Sequence, residues 1–330
     1  MANNTPHVTL GQYKGLAITR HVRPVLDRTV DQEVTHRCRL HAYYTPTEAP
    51  AKRGDKVTFD SEGFRDGQPI PDSRTENATI ILGTGRLTAA IERAFYGHKA
   101  GESFRVEMTY PEDFQVQELS GVSAQFEITL HAVAEKHTPE PTEEFARSRG
   151  FDSLEAMKAQ IRKEKQALHE QAADRKAGQE LLDMAGANLT VALPEKQVAA
   201  EAEREYKQLE NKLKKSGIPM ETYCTSCRTT PEGLRRSFRA SAEKRLRSVL
   251  AAKAISEAEG IVAHKDEVEA EYRRLSRQHN TPEAEIRKVL SPDAVAAALV
   301  AQKVQAFLLA NAEVTSVTDP APKGAAAKEG

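Results

Sequence analysis

The sequence predicts an α+β chain whose two halves are built differently. Before Pro139, short runs of alternating apolar and polar residues are broken by Gly and Pro. After it, long stretches of Ala, Glu, Lys, Arg and Leu carry apolar residues at helical spacing. A two-residue period marks half-buried strands, and recurrence at three and four residues marks helices. Strands around one short helix, followed by helices alone, is the pattern of an α+β fold.

Val8 to Ile18 (VTLGQYKGLAI) reads as an extended segment with a Gly-containing turn. Val25 to Tyr43 reads as a helix and Thr45 to Lys52 as a Pro/Ala-rich linker. Strands are expected at Lys56–Ser61, Thr79–Leu82, Ser103–Thr109 and Ala124–Val133, with a short helix from Leu87 to Phe95 ended by Gly97. Beyond Asp152 and Ser153 an amphipathic run reaches about Ala187, with Leu154, Met157, Ile161, Leu168, Leu181 and Leu182 as its apolar positions. Pro194 stands where a first helical turn favours proline, and that helix runs to Lys215 before Ser-Gly-Ile-Pro breaks it. Thr230-Pro231-Glu232 opens another helix that stops at Gly260, and shorter helices follow at Lys265–Gln278, Pro282–Leu290 and Pro292–Ala312. The tail from Thr318 has the composition of a disordered segment. Arg162 to Lys165 and Glu201 to Lys215 are charged almost all round, as in a helix that projects from a body as an arm.

With 330 residues the chain can hold two domains, each with its own core. Charged residues make up 29%, aromatics 5%, and Trp is absent, which suits exposed helices better than one large core. A formal net charge of -1 gives no bulk attraction to phosphate, so nucleic acid is not an expected partner. Met1 to Leu10 lacks the basic and apolar blocks of a signal peptide. No window reads as long and apolar enough to span a bilayer, so a cytoplasmic location without membrane contact is expected. Three cysteines make no disulfide framework, and their thiols are expected to be free.

Cys224-Thr-Ser-Cys227 supplies two metal ligands where structural zinc needs four; Cys38 is remote and no His stands nearby. It also lacks the strand-to-helix setting of a redox Cys-x-x-Cys. It reads as an incidental surface pair, with a redox-sensitive clip and a half-site for shared metal as the alternatives. The ten His residues show no metal-protease spacing, and His98 in Gly97-His98-Lys99-Ala100-Gly101 reads as part of a structural turn. Gly83-Thr84-Gly85 lacks the rest of a phosphate loop. No cofactor is implied.

Several segments follow one another in a distinctive order: Val8-Thr-Leu-Gly-Gln-Tyr-Lys-Gly-Leu, Gly54-Asp-Lys-Val-Thr-Phe-Asp, Gly97-His-Lys-Ala-Gly-Glu and Tyr110-Pro-Glu-Asp-Phe, then Ser216-Gly, Ala242-Glu-Lys-Arg and Ala254-Ile-Ser-Glu-Ala-Glu-Gly-Ile. Together they resemble the bacterial trigger factor family. The resemblance runs over roughly residues 8–317. It implies an N-terminal linker (1–49), an FK506-binding-like isomerase domain with an antiparallel half-barrel sheet and one short helix (50–136), and a SurA-like all-α chaperone domain with extended arms (137–317). A disordered tail (318–330) would follow. The family's ribosome-binding domain would precede Val8, where only seven residues stand, so ribosome docking is not expected. Gly63-Phe64-Arg65-Asp66-Gly67-Gln68-Pro69-Ile70 echoes the family's docking loop, but Asp66-Gly67 between two strands reads as a hairpin turn.

Prolyl isomerisation needs no nucleophile: an apolar pocket binds the twisted amide and directs donors at it. Laid on the family's pocket, Phe126 keeps a wall aromatic and Phe114 a lid aromatic. Ile91 stands at the aromatic floor, Ser61 at a Tyr/Phe position, Ile70 and Pro71 at a Phe-acid pair, and Leu87 and Thr88 at an apolar pair. Each lost ring removes about 150–250 Å² of apolar contact, so the resemblance implies an isomerase scaffold with little activity. Leu209, Leu213, Ile218, Met220 and Tyr223 are the candidates for contact with unfolded or nascent polypeptides. The expected function is an ATP-independent holding chaperone, with an active prolyl isomerase or an assembly factor for one partner as alternatives. Self-association is left open.

Overall fold

The computed structural model describes residues 8–110 and 120–320. In chain order the elements are β1 (Ala17–Val22), α1 (Asp27–Leu40), β2 (Tyr43–Thr47), β3 (Lys56–Arg65), β4 (Gln68–Pro69), β5 (Thr75–Ile81), α2 (Ala89–Ala94), β6 (Ser103–Thr109), β7 (Ser123–His137) and α3 (Glu143–Ser148). Then come α4 (Leu154–Ala187), α5 (Glu195–Lys215), α6 (Met220–Ser226), α7 (Pro231–Glu259), α8 (Lys265–His279), α9 (Glu283–Val289), α10 (Pro292–Ala310) and β8 (Glu313–Thr318). They form two compact units, Leu26–Arg162 and Met1–Val25 with Lys163–Gly330. The mixed class expected from the sequence is the class observed.

In the sheet unit, β7 is the spine and pairs antiparallel with β2, β3 and β6. Ala124, Phe126, Ile128 and Leu130 alternate into the core. The register then shifts: Thr58 of β3 faces Ala132 and Phe59 faces Leu130, leaving His131 as an extra residue. A bulge reverses which side the following residues face, so Val133 rather than Ala132 is the next buried position. The outward His131 bonds Asp60 at 2.8 Å. Phe95 is fully buried between Phe59 and Phe104, edge-on to each with centroids 4.8 and 5.4 Å away. Asp55 is buried because two backbone N–H groups need it: Lys52 N donates at 3.0 Å and Lys136 N at 3.3 Å.

The Pro/Ala-rich linker expected at Thr45–Lys52 is in part a strand. β2 takes the edge position beside β7, where Pro46 can sit because an edge residue need not donate to the ladder. α1 buries Val30, Val34 and Cys38, one stripe at four-residue spacing. Lys158 and Arg162, in the first turns of α4, pair with Asp31 and Asp27 of α1 at 2.9 and 2.6 Å. α1 and these turns therefore belong with the sheet.

The helical unit also includes the N-terminal segment. Thr9 exchanges both backbone hydrogen bonds with Thr190 at 3.1 Å, β1 pairs in parallel with β8, and Leu16 is buried with Leu181, Ala251, Ile255, Val304 and Leu308. β8 was not anticipated from the sequence. The disordered tail falls largely outside the described residues, of which Pro320 is the last. Two glycines allow close packing on α4: a Cβ at Gly178 would stand 3.0 Å from Gln305 Cβ of α10, and one at Gly186 would stand 3.0 Å from Ser248 N of α7.

α5 is not charged all round. Val198, Tyr206 and Leu213 form a buried stripe, and α5 packs against α7, where Tyr206 meets Phe238 edge-on at 6.3 Å. α5 to α8 end alike, with Gly217, Arg228, Gly260 and Asn280 at φ of 67°, 51°, 65° and 47°. A left-handed residue there lets the next N–H reach back to a free carbonyl: Ile218 N bonds Leu213 O at 3.0 Å, and Thr229 N bonds Cys224 O at 2.9 Å.

The expectation that no segment is long and apolar enough to cross a bilayer is corrected by α10. It has 19 residues, only Asp293 and Lys303 are charged, and by length and composition it could span. Ala supplies much of its apolar character, so the pattern lacks a long run of large side chains. Only Val295, Val304 and Leu308 are buried, and α10 packs against α7 and α8.

Candidate functional site

The predicted isomerase pocket lies on the sheet unit. Phe126 is 9% exposed, and the backbone of β3 lies directly over its ring: a Cβ on Gly63 would stand 2.9 Å from Phe126 Cε1. Ser73 fixes that approach, accepting from Gly63 N at 3.1 Å and donating to Ile70 O at 2.7 Å. Ile70, Leu87 and Ile91 are half-buried and pack against the cluster that contains Phe126. Ile70 and Ile91 thus occupy positions where the resemblance called for rings, and Leu87 one where it called for an apolar side chain. Ser61 is half-buried on β3 opposite Ile128. Pro71 is exposed, as is Thr88, which caps α2 by accepting from Ile91 N. Phe114 lies outside the described residues.

An aromatic that sequence reasoning passed over stands here too. Tyr110 packs against the same cluster, and burial raises its hydroxyl pKa. Its sequence signal is the Tyr-Pro-Glu-Asp-Phe segment, which offers two aromatics for the pocket, Tyr110 and Phe114. A cleft of about 460 Å³ opens elsewhere on the sheet, beside Phe64, Gly67, Glu107 and Gln125, and none of the expected pocket residues lines it. Asp66 and Gly67, at φ of 52° and 78°, form the tight turn joining β3 to β4, as the hairpin reading expects.

On the helical unit, the client candidates divide. Leu213 is buried at 7% in the α5 stripe; Leu209, Met220 and Tyr223 are half-buried, and Ile218 is 43% exposed. A longer exposed stripe, mostly alanine, lies on α10, which sequence reasoning missed. Ala294, Ala298, Gln302, Ala306 and Ala310 recur every fourth residue and line two clefts, of about 200 and 770 Å³. α8 borders both and α4 the larger one. Glu271, Arg274, Asp174 and Arg175 give the rim charges of both signs. The smaller cleft is mainly apolar, with Leu275, Leu290, Val295 and Leu299 beside the alanines, whereas Gln302 and Gln305 join the charges in the larger one.

Cys224 and Cys227 are not both on the surface. Cys224 is 3% exposed within α6 and Cys227 is exposed at its C-cap. No group of three or more metal-binding side chains occurs among the described residues. His98 is structural: it bonds Glu102 at 2.7 Å and stacks on Phe104 with centroids 4.1 Å apart. The His98 hydrogen bond, with Lys99 N–H, lowers the Glu102 pKa.

Residues 47–131 match the family model of FKBP-type peptidyl-prolyl cis-trans isomerases, and residues 153–310 match that of the bacterial trigger factor C-terminus. Trigger factor from Enterococcus faecalis is 34% identical over 292 residues, covering 87% of this chain and 68% of the relative. Trigger factor from Bacillus cereus is 32% identical over 311 residues, covering 93% and 73%. A solved trigger factor chaperone, studied for promiscuous substrate recognition in folding and assembly, shares the fold with a TM-score of 0.54 at 18% identity, over 92% of this chain and 73% of that one. Both halves match in order and two long relatives are about a third identical: the chain belongs to the bacterial trigger factor family.

Proposed function

We propose that this protein is an ATP-independent holding chaperone of the cytoplasm. It binds unfolded or nascent polypeptides on its helical unit, and the FKBP-type domain serves mainly as a scaffold. The observation that carries this reading is α10, a helix apolar enough to span a membrane yet buried over only 17% of its apolar window. Exposed apolar side chains elsewhere on the unit support it, among them Leu168, Val249, Val262 and Val289 at 59, 60, 53 and 83% exposure. Surfaces of this kind mark interaction sites when they form patches. Charged faces keep the arm soluble, with pairs such as Glu203–Lys207 and Glu210–Lys214 at 3.7 Å. Ile218, Met220 and Tyr223, which close the end of the arm, extend the client surface.

Little isomerase activity is expected, because Ile70, Ile91 and Ser61 stand where rings would grip a prolyl group. A second reading, an active isomerase, draws support from the FKBP-type match and from Phe126. The two separate in a pair of assays on the full chain. Suppression of aggregation of an unfolded model protein without ATP, with negligible turnover of a short Xaa-Pro peptide, supports the holding chaperone. Turnover at the level of an ordinary FK506-binding domain overturns the scaffold reading.

A further inference from the structure

Cys224 and Cys227 stand three residues apart at the end of α6, so their side chains share one helix face. Tyr223, four residues before Cys227, lies on that face too, and the neighbouring Cys227 thiol raises its hydroxyl pKa. Cys224 is buried and Cys227 exposed, which separates a reachable thiol from a protected one. Cβ atoms three residues apart on a helix are about 5–6 Å apart, and a disulfide needs about 3.5–4.5 Å. Closing that gap requires the last turn to tighten. Cys227 is the half-in capping residue at φ -85° and ψ 2°, followed by Arg228 in the left-handed region at 51°. The adjustment therefore falls on a helix end, where the bonds that must lengthen are Cys227 N to Tyr223 O at 3.0 Å, Arg228 N to Thr225 O at 3.1 Å and Thr229 N to Cys224 O at 2.9 Å.

We propose that Cys224 and Cys227 form a dithiol–disulfide couple that exchanges with a low-molecular-weight disulfide. Cys227, as thiolate, attacks one sulfur of the small disulfide. Its S–S bond breaks, and the leaving half takes up the proton that Cys227 gave to solvent. Cys224, as thiolate, then attacks the Cys227 sulfur of the mixed disulfide and expels the second half, which is protonated in the same way. Two protein thiols are oxidised to one disulfide, and one small disulfide is reduced to two thiols. The tightened turn makes the product reducible by excess thiol rather than a permanent brace. Cys38 takes no part, since it is buried in α1 and burial raises its pKa.

The test treats the folded full chain with glutathione disulfide, quenches with acid, alkylates under denaturing conditions and maps peptides by mass. The expected wild-type product has both Cys224 and Cys227 protected from alkylation, a peptide lighter by two hydrogens, and Cys38 fully alkylated. Excess dithiothreitol restores both thiols. Cys224→Ser should stop at glutathione on Cys227, and Cys227→Ser should remain unmodified. Wild-type protein that keeps glutathione on Cys227 beside a free Cys224 overturns the proposal. So do a Cys227→Ser variant that reacts as fast as wild type and a product consisting of inter-chain dimers. The wild-type measurement decides the matter even where a variant folds poorly.

Discussion

Gly186 stands in the last turn of α4, where α7 comes against it backbone to backbone. A Cβ there would lie 3.0 Å from Ser248 N, 3.1 Å from Arg247 C and 3.2 Å from Ser248 Cα. Carbon atoms pack best at about 3.5–4.0 Å, so Gly186→Ala requires the helices to part by roughly half an ångström. No flexible side chain can give way instead. The displacement would also strain the Asp183 cluster one turn earlier, where Ser248 Oγ donates at 2.7 Å and Lys244 Nζ pairs at 2.8 Å. Overpacking of this kind costs about 1–3 kcal/mol. Helix propensity returns at most about 1 kcal/mol, less in a terminal turn. The expected net loss is about 1–2 kcal/mol, or about 2–8 °C in the melting of the helical unit. Scanning calorimetry reads it, and the transition of the sheet unit should not move. A rise in melting temperature, as propensity alone predicts, would refute the close-packing argument.

Gly63→Ala places a methyl 2.9 Å from the Phe126 ring and should lower the stability of the sheet unit by about 1–3 kcal/mol, read by urea titration of tyrosine fluorescence. Asp183 is desolvated, which alone would raise its pKa, but hydrogen bonds from Lys244, Ser248 and Gln179 outweigh this and lower it. A depressed folded pKa gives stability that is present above the unfolded value of about 3.9 and lost as pH falls through the folded value. Asp183→Asn should therefore flatten the acid limb of the stability profile, and an unchanged limb would remove the cluster from the account. Arg228→Gly relieves a left-handed non-glycine residue and should stabilise the end of the arm by about 1 kcal/mol, seen as slower amide exchange at Thr229 N, which bonds Cys224 O.

What was legible in the sequence depended on how local its cause was. The Asp66-Gly67 turn, the Thr230 cap before Pro231 and the stop at Gly260 each follow from the chemistry of a few adjacent residues, and each is in place. β2 was hidden because its Pro46 speaks against a strand unless an edge position is already known. The bulge at His131 was hidden because it depends on the register with β3, which no single strand records. Arg228 concealed a helix end that Gly217 announced, although both residues take the same conformation. In the candidate site, the loss of rings could be read residue by residue, whereas the packing of Ile70, Leu87 and Ile91 against the core could not. The α10 surface was missed because an Ala-rich stripe reads as helix filler until its neighbours leave it uncovered.

The central claim is that the helical unit holds clients through apolar surface. Photo-crosslinking residues placed at Ala298 and Ile218, and for comparison at Leu87 and Pro71, put it to a direct test with a permanently unfolded polypeptide as client. The account predicts strong adducts from Ala298, weaker ones from Ile218, and little from the two sheet-unit positions. Adducts concentrated at Leu87 and Pro71, with none at Ala298, would contradict it and move the client to the isomerase-type domain.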